Sequence, residues 1–255
     1  MKIYTLDGAI NAFFSAQISP TRQECDDLAA EIVRGPVYPL SIQGCFSYTV
    51  STKGDEENKI VQFRVSHSPL DVGIIQLAQE IHGNVVPPTQ YYGEVGSGPT
   101  APLQIYIIKK LSGITCIDMV LQYQRNPSCS MPKLRIIQDL SRYFASAWLH
   151  PQDVPQAKRK ENQEQISKKP FVLNSALPPR YCTLISSLQA DLHQLYSPIY
   201  PQVLTHGDLN AMNTLVMPVT GQISGLVDWA EASILPFGMG LYGLEIMLGN
   251  MDSQG

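Results

Sequence analysis

The sequence predicts an α+β fold with a small antiparallel β-sheet lobe followed by a mostly helical lobe. Before about residue 113, amphipathic helical segments alternate with pairs of β-like runs separated by turn residues. After Gly113, apolar residues recur at helical spacing over longer segments. The 255 residues are 44% apolar and 16% charged, enough to bury a core in one large domain or two smaller ones. We therefore expect lobes at 1–113 and 114–255.

The first helix and hairpin have clear end signals. Thr21–Glu24 has the form of a capping box, apolar residues follow at helical spacing, and Gly35-Pro36 should end the helix. Two β-like runs, 45–52 and 59–65, are joined by a polar, turn-forming stretch at 53–58. This arrangement predicts a β-hairpin.

A second helix and a second hairpin follow. Residues 70–82 carry apolar side chains at helical spacing, which predicts an amphipathic helix that ends at Gly83. Strands are predicted around 90–94 and 103–108, on either side of a Gly- and Pro-rich link. The order helix, hairpin, helix, hairpin indicates a small antiparallel sheet that is packed by helices.

The later part of the chain is predicted to be mainly helical. Helices are expected at 115–124, 133–149 and 180–196, and a tight hairpin at 214–217 and 223–227. The stretch 151–170 is rich in Lys, Gln, Glu and Pro, and we expect a solvated surface loop there. Its run 158–161 mixes charges of both signs, which favours a solvated face over a nucleic-acid patch.

Composition excludes several classes of function. A net charge of −4 and a pI near 5.7 argue against binding to nucleic acid. No run approaches the roughly 18 apolar residues of a membrane helix, and an acidic residue interrupts the amino terminus, so we predict no membrane association and a soluble protein. The cysteines form no CxxC pair, which favours a reducing, cytoplasmic setting; they are Cys25, Cys45, Cys116, Cys129 and Cys182.

The stretch 205–216 carries the strongest chemical signal. It contains His-x-Asp-Leu at 206–209, with Asn213 five residues after Asp208, and a second acid, Asp228, fifteen residues further on. In phosphoryl transfer, a carboxylate must lie beside the attacking hydroxyl and an amide oxygen must reach a metal on the phosphates. His-Gly-Asp alone is better explained by a capped turn, since Gly and Asp are common turn residues. With Asn213 and Asp228 both in register, chance is a poor explanation.

These motifs resemble the aminoglycoside phosphotransferase-like family of kinases, which includes choline and homoserine kinase relatives. The resemblance is strong after residue 203 and looser before 115. It points to a branch of the family other than the antibiotic-resistance enzymes. It implies a bilobal protein-kinase-like fold, with a nucleotide-covering N-lobe and a helical C-lobe that carries the catalytic loop and metal site. The residues that carry it lie at 61–64, 70–71, 80–83, 106–113, 206–209, 213, 215–216, 225–229, 232, 236–238 and 241–245.

The resemblance also implies an activity. It implies transfer of the γ-phosphate of ATP to a hydroxyl of a small molecule, with Mg²⁺ as the metal. Asp208 would be the catalytic base, or would at least orient the acceptor hydroxyl. Asn213 and Asp228 would hold Mg²⁺, and His206 would pack the loop.

On the nucleotide side, the resemblance implies less specific roles. Ser47 would donate to a phosphate, although an exposed serine at a strand start explains it about as well. Arg64 would replace the usual strand lysine, or would be a surface arginine. Glu80 would pair with Arg64, with Asp71 as a competitor and a solvated glutamate as the alternative. Ile107 and Lys109 would lie at the hinge that receives adenine.

Two hypotheses remain open from the sequence. One is an active small-molecule phosphotransferase; the other is a kinase-like binding or regulatory module with impaired catalysis. Only 27 residues follow Asp228, fewer than the resemblance implies, so we expect a shortened C-terminal end. A protein-serine kinase is a weaker option because no peptide-docking motif is recognisable. The sequence does not predict an acceptor, a pathway or an oligomeric state.

Overall fold

The computed structural model describes residues 4–15, 20–52, 59–97, 101–125 and 132–248, and of residues 169–176 only the backbone. The predicted turn at 53–58, Cys129 and the last seven residues lie outside the described residues. The chain divides into two compact units. The first unit comprises Met1–Met131 and Met212–Ala230, and the second comprises Pro132–Ala211 and Glu231–Gly255.

The first unit contains a five-stranded antiparallel sheet. Its strands are paired in the order β1-β2-β3-β5-β4. Both predicted strand pairs form, with Val50 opposite Val61 and Gln90 opposite Ile107. The strands are β1 (Val37–Pro39), β2 (Ser47–Thr52), β3 (Lys59–Val65), β4 (Thr89–Val95) and β5 (Leu103–Lys109).

Four helices belong to this unit: α1 (Leu6–Ser15), α2 (Arg22–Val33), α3 (Val72–His82) and α4 (Cys116–Arg125). The predicted capping box is confirmed at α2. The Thr21 hydroxyl accepts from the Glu24 N–H at 3.3 Å, and the Glu24 carboxylate accepts from the Thr21 N–H at 2.7 Å. Asp71 caps α3 by accepting from the Ile74 N–H at 3.0 Å. The helix α1 is not among those predicted.

The two faces of the sheet differ in chemistry because side chains alternate along each strand. One face is apolar and packs with α1 and α2 to form the core of the unit; its members include Ile10, Phe13, Ala29, Val33, Tyr48, Val50, Val61, Phe63, Leu103 and Ile105. The opposite face carries polar side chains, including Ser47, Thr49, Gln62, Arg64 and Tyr106. Four of these five are less than 9% exposed. We call this the polar sheet face.

Five short strands lie further along the chain: β6 (Ile114–Thr115), β7 (Gln202–Thr205), β8 (Thr214–Val216), β9 (Ile223–Leu226) and β10 (Ser233–Pro236). The predicted hairpin is confirmed as β8–β9, and β6 pairs with β8 from nearly 100 residues earlier. The compact units therefore differ from the predicted division at 113/114, because β8 and β9 belong with β6. The assignment of lobes stays a prediction.

The second unit is mainly helical. It contains α5 (Lys133–Leu149), α6 (Gln156–Ala176), α7 (Cys182–Asp191) and α8 (Tyr242–Leu248). Short 3₁₀ turns at Pro179–Tyr181 and Leu192–Tyr196 flank α7, so the helix predicted at 180–196 forms with 3₁₀ ends. Strands β7 and β10 pair antiparallel, with Leu204 opposite Ile234. No helix of the described segments has the length and apolar character needed to cross a bilayer.

The prediction of a surface loop at 151–170 is wrong. The helix α6 occupies most of this stretch, because Lys, Gln and Glu are strong helix formers even where no apolar stripe marks a helix. The charged run is also only partly solvated. Lys158 and Glu161 form an exposed ion pair at 2.9 Å, whereas the Arg159 guanidinium is buried and donates to the Val154, Ser197 and Tyr200 carbonyls.

Cys25 provides a test of the core of the first unit. Burial raises the pKa of the Cys25 thiol to about 12, and the neighbouring Asp26 and Glu24 carboxylates act in the same direction. In native protein at pH 8, iodoacetamide should label exposed Cys45 and spare Cys25 until the protein unfolds. Because the unfolded thiol ionises near 9, stability should also fall as the pH rises from 9 towards 12.

Peptide mass spectrometry of native and urea-unfolded samples checks the labelling. A Cys25→Ala variant should lose part of the alkaline destabilisation measured by chemical unfolding. Equal labelling rates at Cys25 and Cys45 in native protein would contradict the packing of α2 against the sheet.

Candidate functional site

The loop that carries Asp208 leaves the end of β7, a strand whose four residues are all buried. Gly207 has a φ of +84°, and a Cβ on it would lie 2.1 Å from the carbonyl oxygen of Glu231. Any other residue would clash with this carbonyl and would also be strained. The close approach therefore requires glycine at 207, directly before the candidate catalytic acid.

The buried side chain of His206 supports the same loop. Its side chain is only 1% exposed, and its Nδ1 accepts from the Asp208 backbone N–H at 3.3 Å. Tyr143, on the buried face of α5, hydrogen-bonds the backbone of His206, and burial raises the pKa of the Tyr143 hydroxyl. The helical spacing of α5 marks Tyr143 as a core residue, but nothing in the sequence indicates that it reaches the loop.

The Asp208 side chain lies at the surface of the second unit. Its Oδ1 accepts from the Asn210 side-chain amide at 3.0 Å, and the same amide donates to the Asp208 carbonyl at 3.2 Å. Asn210 therefore restricts the rotation of the carboxylate. The result is an exposed carboxylate whose orientation is restricted, on a loop with a buried support.

Asn213 and Asp228 lie together in the first unit. The Asn213 carbonyl accepts from the Val227 N–H at 2.9 Å, and Thr214 is opposite Leu226 at the start of the β8–β9 pair. The hairpin turns at Gly221, so Asn213 and the residue before Asp228 are opposite each other at its other end. The sequence predicts both as metal ligands, and the hairpin register places both at the same end of the hairpin; their role as ligands stays a prediction.

Asp228 has an uncommon backbone conformation. Its φ is +62°, and among the described residues only Arg34 shares a positive φ without being glycine. Aspartate tolerates this conformation better than most residues, but at a cost in free energy. Trp229 holds the turn: its indole is buried and donates to the Leu226 carbonyl at 2.8 Å. The Asp228 side chain is exposed at the end of the hairpin.

This pair fits a magnesium ion. Mg²⁺ takes oxygen ligands, and it commonly binds through one or two protein side chains while substrate phosphates and water complete the shell. The Asn213 amide oxygen and the Asp228 carboxylate would supply donors of this kind. No group of three or more His, Cys, Asp or Glu side chains suited to a metal occurs in the described ranges, so a cage made of those side chains is absent from them.

Two of the predicted nucleotide contacts also come together. Ser47 and Arg64 are direct register partners on β2 and β3, on the polar sheet face, and both are 4% exposed. The Arg64 guanidinium donates from Nε to the Ser68 carbonyl at 2.8 Å and from Nη2 to the Ser68 hydroxyl at 3.0 Å. The turn after β3 therefore engages the guanidinium.

The other nucleotide-side predictions are less well supported. The predicted Arg64–Glu80 ion pair does not form: Glu80 is exposed on α3 and has no ion-pair partner among the described residues. Ile107 is half-buried on β5. The backbone N–H of Lys109 donates to the Pro88 carbonyl at 2.8 Å. The N–H that a hinge would offer to adenine therefore already has an acceptor. The roles of these residues in nucleotide binding stay predictions.

No protein-family profile matches the sequence, and no curated protein sequence is significantly similar to it. Solved structures do match. An aminoglycoside 2'-phosphotransferase in complex with GDP has a TM-score of 0.51 at 17% identity, over 88% of this chain and 77% of that one. An aminoglycoside phosphotransferase in a ternary complex with ADP and hygromycin B has 0.51 at 13%, over 86% and 74%. An ethanolamine kinase from Plasmodium vivax has 0.50 at 11%, over 94% and 72%.

These similarities define the fold. The chain has the protein-kinase-like α+β fold of the aminoglycoside phosphotransferase-like kinases, which confirms the predicted fold class. The structural similarity establishes the fold. At sequence identities of 11% to 17%, the chemistry must be argued from the residues of this chain.

Gly207 tests the geometry of the Asp208 loop. Replacing it with Ala should lower the free energy of unfolding by about 2 to 4 kcal/mol, because the Cβ would overlap the Glu231 carbonyl and the backbone has a positive φ. Gly35→Ala is the matched control, since a Cβ at residue 35 meets nothing within 4 Å; its effect should stay within about 0.5 kcal/mol. Chemical unfolding measures both. Equal effects of the two substitutions would contradict the close approach.

Proposed function

We propose that this protein is an ATP- and Mg²⁺-dependent phosphotransferase that moves the γ-phosphate to a hydroxyl of a small molecule. The observation that best supports this is the β8–β9 register, which places Asn213 opposite Val227, the residue before Asp228, at one end of the hairpin. The position of Asp208, five residues before Asn213 in the sequence, matches the spacing that phosphoryl transfer uses. The kinase-like fold supports the same class of reaction.

In this proposal, each acidic or amide side chain has one task. Asp208 accepts the proton of the acceptor hydroxyl as its oxygen bonds to the γ-phosphorus, while the bond from that phosphorus to the β-phosphate oxygen breaks and ADP leaves. Asn213 and Asp228 bind Mg²⁺ through their oxygens. When bound, Mg²⁺ offsets negative charge on the phosphates. Asn210 keeps the Asp208 carboxylate oriented towards the hydroxyl.

For the nucleotide, we propose that Ser47 and Arg64 face the phosphates from the polar sheet face. Ile107 would pack on the base, and Lys109 would lie beside it. Glu80 is retained only as a residue on the nucleotide side, because it does not pair with Arg64. We place the reaction in the cytoplasm, since the dispersed cysteines suit a reducing compartment.

The acceptor is proposed to be a small hydroxylated metabolite in a tailoring or biosynthetic pathway. The structural neighbours include one complex with hygromycin B and one ethanolamine kinase, which supports a small-molecule acceptor. The acidic composition of the chain gives no reason to add nucleic acid or a membrane as partners.

A second candidate function is a kinase-like binding or regulatory module with impaired catalysis. The observation that favours it is the environment of Arg64, whose guanidinium is buried and bonded to Ser68, with Glu80 exposed elsewhere on α3. Ser68 occupies the Nε donor and one Nη2 donor of the guanidinium, so pairing with a phosphate through those two donors would require the release of Ser68. The two candidates differ in whether Mg²⁺ increases the affinity for ATP and in whether ADP is formed.

Asp228→Asn tests the metal site. Asparagine also tolerates a positive φ, so the Tm should be unchanged within error. The loss of the carboxylate should weaken Mg²⁺-dependent ATP binding at least tenfold, about 1.4 kcal/mol, and leave binding in EDTA unchanged. Isothermal titration calorimetry measures both, with Asp153→Asn as an exposed control that makes the same chemical change. No binding of Mg²⁺·ATP by the wild-type protein would favour the binding module.

Asp208→Asn tests the proton acceptor. With a panel of small-molecule alcohols as acceptors, the variant should form ADP at least about 100-fold more slowly, because a general base contributes 10² to 10⁴ in rate. Its affinity for Mg²⁺·ATP should match that of the wild type. Phosphorylated product detected by mass spectrometry at an undiminished rate in Asp208→Asn would refute the assigned mechanism.

A further inference from the structure

Tyr242, the first residue of α8, reaches the loop that carries Asp208. Its hydroxyl donates a hydrogen bond to the Gly207 carbonyl and also hydrogen-bonds the backbone of Leu209. One hydroxyl therefore contacts the peptide groups on both sides of Asp208. Nothing in the sequence indicates that Tyr242 reaches this loop.

The start of α8 is pressed against the same loop. A Cβ on Gly243 would lie 2.8 Å from the Cβ of Leu209 and 2.9 Å from its carbonyl oxygen. Leu209 is itself buried, at 2% exposure. Glycine at 243 permits the start of α8 to pack closely on Leu209. This packing places the Tyr242 hydroxyl beside the loop.

The Tyr242 hydroxyl is suited to remain a donor. Partial burial raises its pKa, and the Asp208 charge acts in the same direction. The hydroxyl therefore keeps its proton at neutral and mildly alkaline pH. The Gly207 carbonyl has this phenol as a partner, whereas phenylalanine at 242 would preserve the ring and remove both hydrogen bonds.

We propose that Tyr242 is a positioning residue for Asp208: by holding Gly207 and Leu209, its hydroxyl fixes the direction of the carboxylate between them. This inference rests on the proposed function, in which Asp208 is the proton acceptor. Tyr242 acts through the loop and need not touch the substrate. Its removal should therefore affect the rate of transfer and not the binding of nucleotide.

Tyr242→Phe is the decisive variant, and Tyr200→Phe is its matched control. The Tyr200 hydroxyl also donates to a backbone carbonyl of the second unit, that of Phe237, at 2.9 Å. Both variants lose one hydroxyl, but only the first loses contacts to the Asp208 loop. The measurements are amide hydrogen exchange of the peptide that covers 206–210, kcat and KM for ATP, and Tm.

We expect exchange in 206–210 to be about fivefold faster in Tyr242→Phe and unchanged in Tyr200→Phe. The kcat should fall roughly tenfold in Tyr242→Phe alone, with KM for ATP unchanged. Gly243→Ala, which keeps the hydroxyl but forces α8 away from Leu209, should show the same split between kcat and KM. This second variant decides the matter if Tyr242→Phe is too unstable to assay.

Exchange in 206–210 that is equal in Tyr242→Phe and the wild type would overturn the inference, whatever the activity. An equal loss of kcat in Tyr200→Phe would also overturn it, since the effect would then be general destabilisation. If the exchange difference is present but the wild-type protein transfers no phosphate to any alcohol tested, the positioning of Asp208 is supported and the proposed function fails.

Discussion

The contact between Gly207 and the Glu231 carbonyl is the constraint on which the Asp208 loop depends. Gly207, two residues after the end of β7, has a positive φ at this contact; the Asp208 side chain that follows is exposed, while His206 is buried. The pairing of β7 with β10, which begins two residues after Glu231, holds the two segments together. Without a Cβ at 207, backbone can pack directly on backbone, and the loop needs no side-chain spacer.

The first unit solves a similar problem with a strained aspartate. The β8–β9 register would end with Asn213 beside Val227, and the positive φ of Asp228 turns the chain there. The buried indole of Trp229, bonded to the Leu226 carbonyl, offsets the cost of this conformation. Each unit thus uses one unusual backbone position to present an acidic side chain next to a buried anchor.

The polar sheet face shows the tension between stability and ligand binding. A buried guanidinium must have hydrogen-bond partners, and the turn after β3 supplies them through Ser68. The same arrangement places Arg64 opposite Ser47 and engages its Nε donor and one Nη2 donor, two of the five through which a guanidinium can pair with an anion. The exchange of one partner for the other is the energetic question that separates an active enzyme from a binding module.

The sequence by itself determined the α+β class, most of the elements and the candidate acids. Local signals sufficed there: the capping box at Thr21, the alternation along β2 and β3, and the spacing of Asp208, Asn213 and Asp228. The loop predicted at 151–170 failed because a helix that is polar nearly all round has no apolar period, so only its propensity marks it.

Only the tertiary structure decided which groups meet. The pairing of β6 with β8 joins residues about 100 positions apart in the sequence. No local sequence pattern predicts which distant strand β6 will pair with. The same holds for Tyr143 and Tyr242, which reach the loop from α5 and α8, and for Arg64, which bonds Ser68 in place of Glu80. Hydrogen-bond partners depend on atomic distances, and these are set by how the helices and strands pack and not by their order along the chain.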